Sequence, residues 1–501
     1  MNIKSKVIKL FSAFLIAGSL SGCGDKFLDT DIYTGKDSEG AMTNVTSVEL
    51  ALNGIYYRLC YYYFSGNYAT MIGDIASDIS YWNAQASHFN NIYSMTYSDT
   101  ESYLRYIWSY GYKVVDNSTR IINGAPAIAE ASTPEERKDL AEYLAEAYAL
   151  RAYAYWNMAQ IYCHQVKVDG RDFSNEMGMV LLDNTVDASN PNVKRATLGE
   201  TYDQIVEDLD NAIKNFDIAG GDRGSMFYMG VASTYGLRAR VNLYLENWDK
   251  AYEDADEAIK KWGKTELTYT DAGYKALYNG GSSNTESLFG LAINASNSYA
   301  ANSCGNLWST YGYSPSPYCL SLYGENDVRK AIQQWNQRNG ASTLGTSIPI
   351  YMSGKFSDYS TGNNQNGTNY LINAPEMFLI QAESALKSTT HNLNEALDAL
   401  LVVAKRNLDI TSTSDLPQTD ADVMQFIKEE RARELVQEGH RLWDLRRWGA
   451  PANLSAFNAP NIDYSYENVD LTNFLFPIPA REINTGSGVE QNPNWAQVQP
   501  H

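Results

Sequence analysis

The densest group of residues that could do chemistry lies near the end of the chain, in the run EERARELVQEGHRLWDLRRWG at 429–449. It combines carboxylates, arginines and a histidine, which are groups that general acid–base catalysis uses. The spacing favours another role. Glu429 and Arg433 stand at i,i+4, and Asp444 and Arg447 stand at i,i+3, so on helices these side chains meet as ion pairs. We therefore interpret the run as a structural ion-pair network and predict neither catalytic residues nor an enzymatic activity.

Two charge-poor segments place aromatic rings beside amide side chains, and these are the predicted ligand-binding residues. The first segment is Tyr81-Trp82-Asn83. The second lies within 287–324, a stretch of 38 positions without a charged residue. Its predicted ligand-binding residues are Tyr299, Asn306, Trp308 and Tyr311. Sugars have apolar C–H faces and hydroxyl rims, so exposed rings flanked by amides suit them, and the missing charge suits a neutral oligosaccharide. Trp82 and Trp308 are the main candidates. Burial of these rings in the core remains the alternative.

Other side chains favour structural roles. Tyr61, Tyr62 and Tyr63 end a predicted helix and are expected in the core. Asp74 and Asp78 could offer oxygen ligands to calcium, but no EF-hand spacing is present, and caps or solvated loops are the preferred interpretation. With five histidines and no CxxC or HExxH motif, the sequence predicts no metal site and no cofactor.

The N-terminus has the features of a targeting signal. Three lysines precede an apolar run at 10–20 that is too short to span a bilayer. The run ends in LSGC at 20–23, which looks like a bacterial lipobox. We expect a lipoprotein signal peptide at 1–22, lipidation at Cys23 and a polar tether over 23–43.

Composition excludes some classes of protein. The chain carries 59 Asp+Glu against 39 Lys+Arg, a net charge of −20, which argues against nucleic-acid binding. Its 37 tyrosines among 501 residues suit surfaces that bind amphipathic ligands, or helix interfaces. Apart from Cys23, four cysteines are too few for a disulfide scaffold, although Cys304 and Cys319 could pair.

The apolar periodicity predicts a mostly α-helical protein. Helices are expected at 45–62, 100–123 and 134–162, and helical hairpins at 229–262 and 373–407. Small residues on the hairpins are typical of tetratricopeptide-like units, which pack closely; a plain helical bundle is the alternative. We predict one domain, 44–501, with a superhelical scaffold over 44–263 and 372–450, few short strands, and a loop-rich ligand-binding insertion over 264–371.

Several short motifs, in order along the chain, resemble the SusD/RagB family of outer-membrane nutrient-binding lipoproteins. They are CGDKFLD (23–29), LNGIY (52–56), GDIASD (73–78), EAYALRAY (146–153), EERAREL (429–435), EGHR (438–441), DLRRW (444–448), FPIP (476–479) and QNP (491–493). The segment 264–370 carries no such motif.

The resemblance implies a tetratricopeptide-like fold, a position on the cell surface at the outer membrane, docking on a SusC-like TonB-dependent β-barrel transporter, and no catalysis. The expected function is capture of an oligosaccharide and its delivery to that transporter. A peptide ligand on the same architecture is the alternative. A lipid-anchored glycoside hydrolase is less favoured, since it needs two carboxyls about 5–10 Å apart across a cleft.

Overall fold

A computed structural model describes residues 42–82, 86–183, 193–333, 335–336, 350–351, 354–449, 452–455, 465–493 and 495–497. The predicted signal peptide, Cys23 and almost all of the tether lie outside the described residues, as does Asn83. Cys304 and Cys319 are both described, and both are free thiols.

Helices dominate the described chain, and most of them lie outside the predicted insertion. The sixteen α-helices there are α1 (Val45–Cys60), α2 (Tyr68–Ile75), α3 (Asn90–Tyr93), α4 (Ser102–Ala131), α5 (Pro134–Tyr162), α6 (Leu198–Ala219), α7 (Val231–Tyr244), α8 (Trp248–Trp262), α9 (Asp271–Ala276), α10 (Cys304–Leu307), α11 (Pro317–Ser321), α12 (Ala374–Lys387), α13 (Leu393–Ala404), α14 (Asp420–Leu435), α15 (Arg441–Trp448) and α16 (Ala480–Asn484).

Capping residues explain where the long helices begin. Thr133 and Glu136 form a capping box at the start of α5, with Pro134 at its first turn, and the observed helix has the predicted bounds. Thr197 caps α6 in the same way. The prediction of α4 was too short, because the helix continues to Ala131 through an internal proline, Pro126.

The two predicted helical hairpins are confirmed as α7–α8 and α12–α13. In the first, Glu246 takes a left-handed φ of 56° in the turn between the helices. Small side chains lie at the helix contacts: Ala251, Ala255 and Ala258 on α8 are fully buried, and α8 packs against α12 as well as α7. Close approach of helix backbones needs such residues. The fold is therefore the mostly α, tetratricopeptide-like scaffold that the sequence predicts.

The strands are short and pair only in twos within the described residues. They are β1 (Ser80–Trp82), β2 (Lys167–Val168), β3 (Arg171–Asp172), β4 (Ser287–Leu291), β5 (Tyr313–Pro315), β6 (Trp335–Asn336), β7 (Ile350–Tyr351), β8 (Asn369–Asn373), β9 (Ala452–Ser455) and β10 (Ser465–Val469). The pairs β1–β5, β2–β3, β4–β8, β6–β7 and β9–β10 are all antiparallel. The pair β1–β5 ties the start of the helical scaffold to the loop-rich insertion.

The charged run at 429–449 lies in the core on α14 and α15. Arg447 Nε lies 2.8 Å from Asp444 Oδ1, and Arg433 Nη1 lies 3.8 Å from Glu429 Oε2, as the helical spacing predicts. Arg329 joins the same network from the insertion, with its guanidinium within 3.0 Å of three buried carboxylates. Further buried pairs are Arg240–Glu376, Arg406–Glu434, Arg431–Asp444, Arg441–Asp78 and Lys355–Glu438.

Electrostatics in this buried charge network favour fixed protonation states. Burial alone raises the pKa of Glu430, but Arg329 and Arg433 outweigh it and hold that pKa at about 2. Burial lowers the pKa of His440 to about 3, so this imidazole is neutral at physiological pH. Arg431, Arg433, Arg441 and Arg447 are each paired with a carboxylate, while Arg446 donates to the Gln160 and Cys163 carbonyls, so the arginines of the run have structural partners. The interpretation of 429–449 as ion pairs is confirmed.

Candidate functional site

The fold brings together the two aromatic segments that the sequence singles out. Strand β1 pairs with β5, so that Tyr81 lies opposite Ser314 and Trp82 lies opposite Tyr313. The Tyr313 ring in turn lies 6.4 Å from that of Trp308. Two segments more than 200 positions apart thus form one aromatic group, and no local sequence pattern indicates that they meet.

The main predicted platforms are buried. Trp308 has 0% of its surface exposed and donates its indole N–H to the Met71 sulfur at 3.0 Å. Trp82 and Tyr81 are each 8% exposed, and Trp82 packs on Tyr313 with ring centroids 6.3 Å apart. The expectation that Trp82, Tyr81 and Trp308 present open faces to a ligand is wrong for this structure. Burial of these large rings removes much apolar surface from water. The free energy gained in this way outweighs the influence of the polar residues beside them in the sequence.

The remaining predicted residues divide between support and surface. Asn306 is buried and donates from Nδ2 to the Ala300 carbonyl at 2.7 Å, which fixes the loop that carries Tyr299. Tyr311 is half-buried and stacks on His88, with ring centroids 3.6 Å apart. Tyr299 is also half-buried, and its ring packs against Tyr61 and Tyr62 at 5.5 Å from each.

These last contacts lead to a second aromatic group, which is partly exposed. We call it the tyrosine surface; it consists of Tyr57, Tyr61, Tyr62, Tyr63, Tyr106, Tyr110 and Tyr299. Tyr57 is 59% exposed, and the other six are partly exposed. The expectation that Tyr61, Tyr62 and Tyr63 belong to the core holds only in part. All three rings are partly buried in the turn after α1, and Tyr62 and Tyr63 pack against the core.

A rigid turn holds the central tyrosines. The amide N–H groups of Phe64 and Gly66 donate to the Tyr61 carbonyl, at 2.9 and 3.2 Å. A Cβ at Gly66 would lie 2.1 Å from the Cys60 carbonyl oxygen, so only glycine at this position lets the backbone form so tight a turn. Asn369 on β8 donates to the Gly66 carbonyl at 2.8 Å, which fixes the turn to the insertion.

The rings of the tyrosine surface stack in an ordered array. Tyr63 and Tyr106 lie face to face, with centroids 3.8 Å apart and planes 5° from parallel. Tyr61 stacks on Tyr110 at 5.0 Å. Rings held this way lose little conformational freedom when a ligand binds.

The chemistry of this surface is that of neutral phenols. Burial raises the pKa of Tyr110, with a further contribution from Tyr61, and burial likewise raises the pKa of Tyr62 and of Tyr299. The hydroxyls therefore stay protonated and can both donate and accept hydrogen bonds. Apolar faces combined with donor–acceptor hydroxyls match a sugar ring and its hydroxyl rim.

Three basic side chains lie over rings of the tyrosine surface. The Lys113 ammonium is 4.0 Å from the Tyr110 centroid, the Arg105 guanidinium 4.6 Å from that of Tyr106, and the Arg58 guanidinium 5.7 Å from that of Tyr57. Partial burial, together with the nearby charge of Arg58, lowers the pKa of Lys113. These contacts are cation–π interactions at the rim of the surface.

The acidic pair considered for calcium has structural partners. Asp74 accepts from the backbone N–H groups of Gly439 and Arg441, at 3.1 and 3.2 Å, and Asp78 forms a two-point ion pair with the Arg441 guanidinium. Burial raises the pKa of Asp74 to about 7. Among the described residues, no group of three or more His, Cys, Asp or Glu side chains could hold a metal ion.

Sequence reasoning missed most of the tyrosine surface. Tyr106 and Tyr110 lie one helical turn apart on α4, and Tyr57 and Tyr61 are spaced in the same way at the end of α1. This i,i+4 repetition of tyrosine on two neighbouring helices is the signal that could have indicated a shared face. Nothing in the sequence indicates the anchoring role of Asn369.

Comparison with known proteins places the fold in a family. A model described as "SusD family" matches residues 308–495, and one described as "Starch-binding associating with outer membrane" matches residues 26–216. The chain belongs to the SusD/RagB family. A curated relative of this SusD-like chain, the SusD-like protein P38 of Formosa agariphila, is 22% identical over 405 residues, covering 71% of the chain and 74% of P38.

Solved SusD-like structures share the architecture. A SusD superfamily protein from Bacteroides thetaiotaomicron aligns with a TM-score of 0.78 and 22% identity, over 90% of this chain and all of that one. A SusD-like carbohydrate binding protein from Bacteroides vulgatus aligns with a TM-score of 0.72 and 18% identity, over 92% and 99% of the two chains. At these identities the likeness establishes the fold.

Within the described ranges, no helix is both long enough and apolar enough to cross a membrane.

Proposed function

We propose that this SusD-like protein is a lipid-anchored glycan-binding protein of the outer membrane, which captures an oligosaccharide and delivers it to a SusC-like TonB-dependent transporter. The observation that carries the proposal is the tyrosine surface, a partly exposed array of rings on a hydrogen-bonded turn. Family membership supports a glycan, as do the starch-binding family that matches residues 26–216 and the SusD-like carbohydrate binding protein of similar fold.

The geometry favours sugar over peptide. A peptide in an extended conformation binds by adding a strand to an open sheet edge, or as a helix in an apolar groove. The described strands are two to five residues long, and the tyrosine surface is formed by α1, the turn that follows it, α4 and the loop that carries Tyr299. Rings with neutral hydroxyls suit C–H faces and hydroxyl rims instead.

Anchoring and delivery complete the proposal. Cys23 is the lipidation site, the tether 23–43 leads to one domain over 44–501, and the insertion 264–371 contributes Tyr299 to the ligand surface. A lid over a barrel must bury a broad face, so we expect an interface larger than the standard ~1,600 Å² of protein pairs. If the native protein is purified in detergent without a co-purifying β-barrel protein, that result would contradict the proposed complex with a transporter.

The binding claim is tested with a panel of glycans and peptides, measured by calorimetry on the wild type and on Tyr61→Ala. The control is Tyr252→Ala, which removes a half-buried tyrosine from α8, away from the tyrosine surface. We expect at least one glycan to bind, with weaker binding by Tyr61→Ala only. Binding of peptides alone would overturn the glycan assignment, and equal affinity in all three proteins would overturn the site.

A further inference from the structure

The basic residues on the tyrosine surface contact aromatic rings rather than acidic side chains. No carboxylate of the described residues forms an ion pair with Arg58, Arg105 or Lys113; their recorded contacts are with rings. The Arg105 Nε–H is buried, and none of the described residues accepts a hydrogen bond from it. A buried guanidinium N–H without an acceptor costs free energy unless a ligand or water meets it.

The nearest acidic side chains on the same helices are engaged elsewhere. Asp116 on α4 pairs with Arg120, with Oδ2 2.9 Å from Nε. Glu49 on α1 lies 3.7 Å from the Arg223 guanidinium. Glu101, which caps α4, accepts from the Tyr103 N–H and from Asn91. None of these carboxylates neutralises the three cations.

The segments that build the surface contain no acidic residue at all. They are 57–63, 105–113 and 287–324, and their only charged residues are Arg58, Arg105 and Lys113. The whole chain has 59 acidic and 39 basic residues, so the local balance is the reverse of the global one. A positive patch on an acidic protein attracts anions locally, because charges beyond about 8 Å are largely screened at physiological salt.

We propose that the ligand is an acidic glycan, whose sugars carry carboxylate or sulfate groups. Tyrosine rings receive the sugar faces, while Arg58, Arg105 and Lys113 receive the anionic groups; arginine in particular forms two-point contacts with carboxylate and sulfate oxygens. This inference rests on the proposed glycan-binding function. It replaces the expectation of a neutral oligosaccharide, which considered only the uncharged segment 287–324 and not the helices that face it.

A structural interpretation of the same contacts makes a different prediction. If the three cations serve only to hold tyrosine rings, their replacement lowers the melting temperature and leaves the charge preference of binding unchanged. If they receive anions, replacement changes affinity for acidic glycans and its salt dependence. The effect on melting should then be small, since Lys113 is exposed, Arg58 and Arg105 are only partly buried, and none of the three has an ion pair with a described carboxylate to lose.

The test uses affinity electrophoresis in gels that contain polygalacturonate, alginate, chondroitin sulfate, amylopectin, arabinoxylan or galactan. The wild type is compared with the triple variant Arg58→Gln/Arg105→Gln/Lys113→Gln. A matched triple control, Lys138→Gln/Lys250→Gln/Lys261→Gln, removes the same charge from exposed positions elsewhere. Calorimetry at low and high salt then measures affinity for any retained acidic glycan and for its carboxyl-reduced or desulfated form.

We expect retention by at least one acidic glycan, about tenfold weaker binding by the Arg58/Arg105/Lys113 variant, and weaker binding at high salt. The control should bind like the wild type. Retention by neutral glycans alone, or equal affinity for an acidic glycan and its neutral form, overturns the acidic class and leaves the proposed function standing. Retention by no glycan contradicts both proposals.

Discussion

The buried charge network on α14 and α15 and the tyrosine surface at the end of α1 use the same residue types in opposite ways. In the network, Arg329 contacts three carboxylates within 3.0 Å, and all four side chains are buried. On the tyrosine surface, Arg58, Arg105 and Lys113 contact rings and have no described carboxylate partner. Arg329 is paired with carboxylates, because an unpaired buried charge is costly; unpaired charges at the surface remain available to a ligand.

Arg329→Met gives the largest expected effect on the network side of this comparison. It leaves Asp327, Glu430 and Glu434 without their shared cation, so the free energy of unfolding should fall by roughly 5 kcal/mol. Urea denaturation followed by circular dichroism measures it. A loss comparable to that of an exposed arginine, such as Arg137→Met, would show that the network contributes little to stability.

Trp308→Ala tests whether this ring belongs to the core. Because Trp308 is fully buried, its truncation should lower the free energy of unfolding by roughly 4 kcal/mol. The same denaturation experiment checks the value. Unchanged stability combined with lost glycan binding would restore Trp308 as a ligand platform and contradict its burial.

Tyr61→Ala should have the reverse profile. Tyr61 contacts Tyr62, Tyr110 and Tyr299, so its loss opens the middle of the tyrosine surface. We expect about 2 kcal/mol of lost binding, roughly thirtyfold in affinity, with a small change in melting temperature. Calorimetry with the glycan identified in the panel measures the affinity, and Tyr252→Ala serves as the control. A large drop in melting temperature at unchanged affinity would assign Tyr61 to the core.

The smallest effect concerns pH. His440 has a pKa of about 3 in the folded state, against an ordinary value near 6.5. Between these values only the unfolded chain takes up the proton, so stability falls as pH decreases, by about 1.4 kcal/mol for each pH unit below about 6.5. His440→Gln should remove that part of the slope, whereas His391→Gln, at an exposed histidine, should retain it. Identical slopes in wild type and His440→Gln would refute the burial argument.

Periodicity was sufficient to predict the scaffold. Helix α5 has the predicted bounds because a capping box and a proline mark its start in the sequence. The ion pairs at 429–449 were predictable as well, since i,i+3 and i,i+4 spacings are local. Helix α4 is longer than predicted. Tertiary packing maintains the helix past Pro126, although proline disfavours the interior of a helix.

The candidate site was less predictable because burial is a property of the whole fold. Trp308 and Tyr299 lie in the same uncharged segment, yet one is in the core and the other on the surface. The difference comes from β1 pairing with β5 and from a turn that Asn369 anchors, and both contacts join residues far apart in the sequence. The proposed anionic class of ligand depends on α1, α4 and the uncharged segment sharing one surface, which no local sequence pattern indicates.

A crystal structure of the protein with a bound oligosaccharide from the glycan panel tests the central claim most directly. We expect sugar rings to lie against the tyrosine surface, within van der Waals contact of Tyr57 or Tyr61, with Trp82 and Trp308 still buried. A sugar bound elsewhere, or bound to a Trp82 or Trp308 ring that has turned outward, would contradict it.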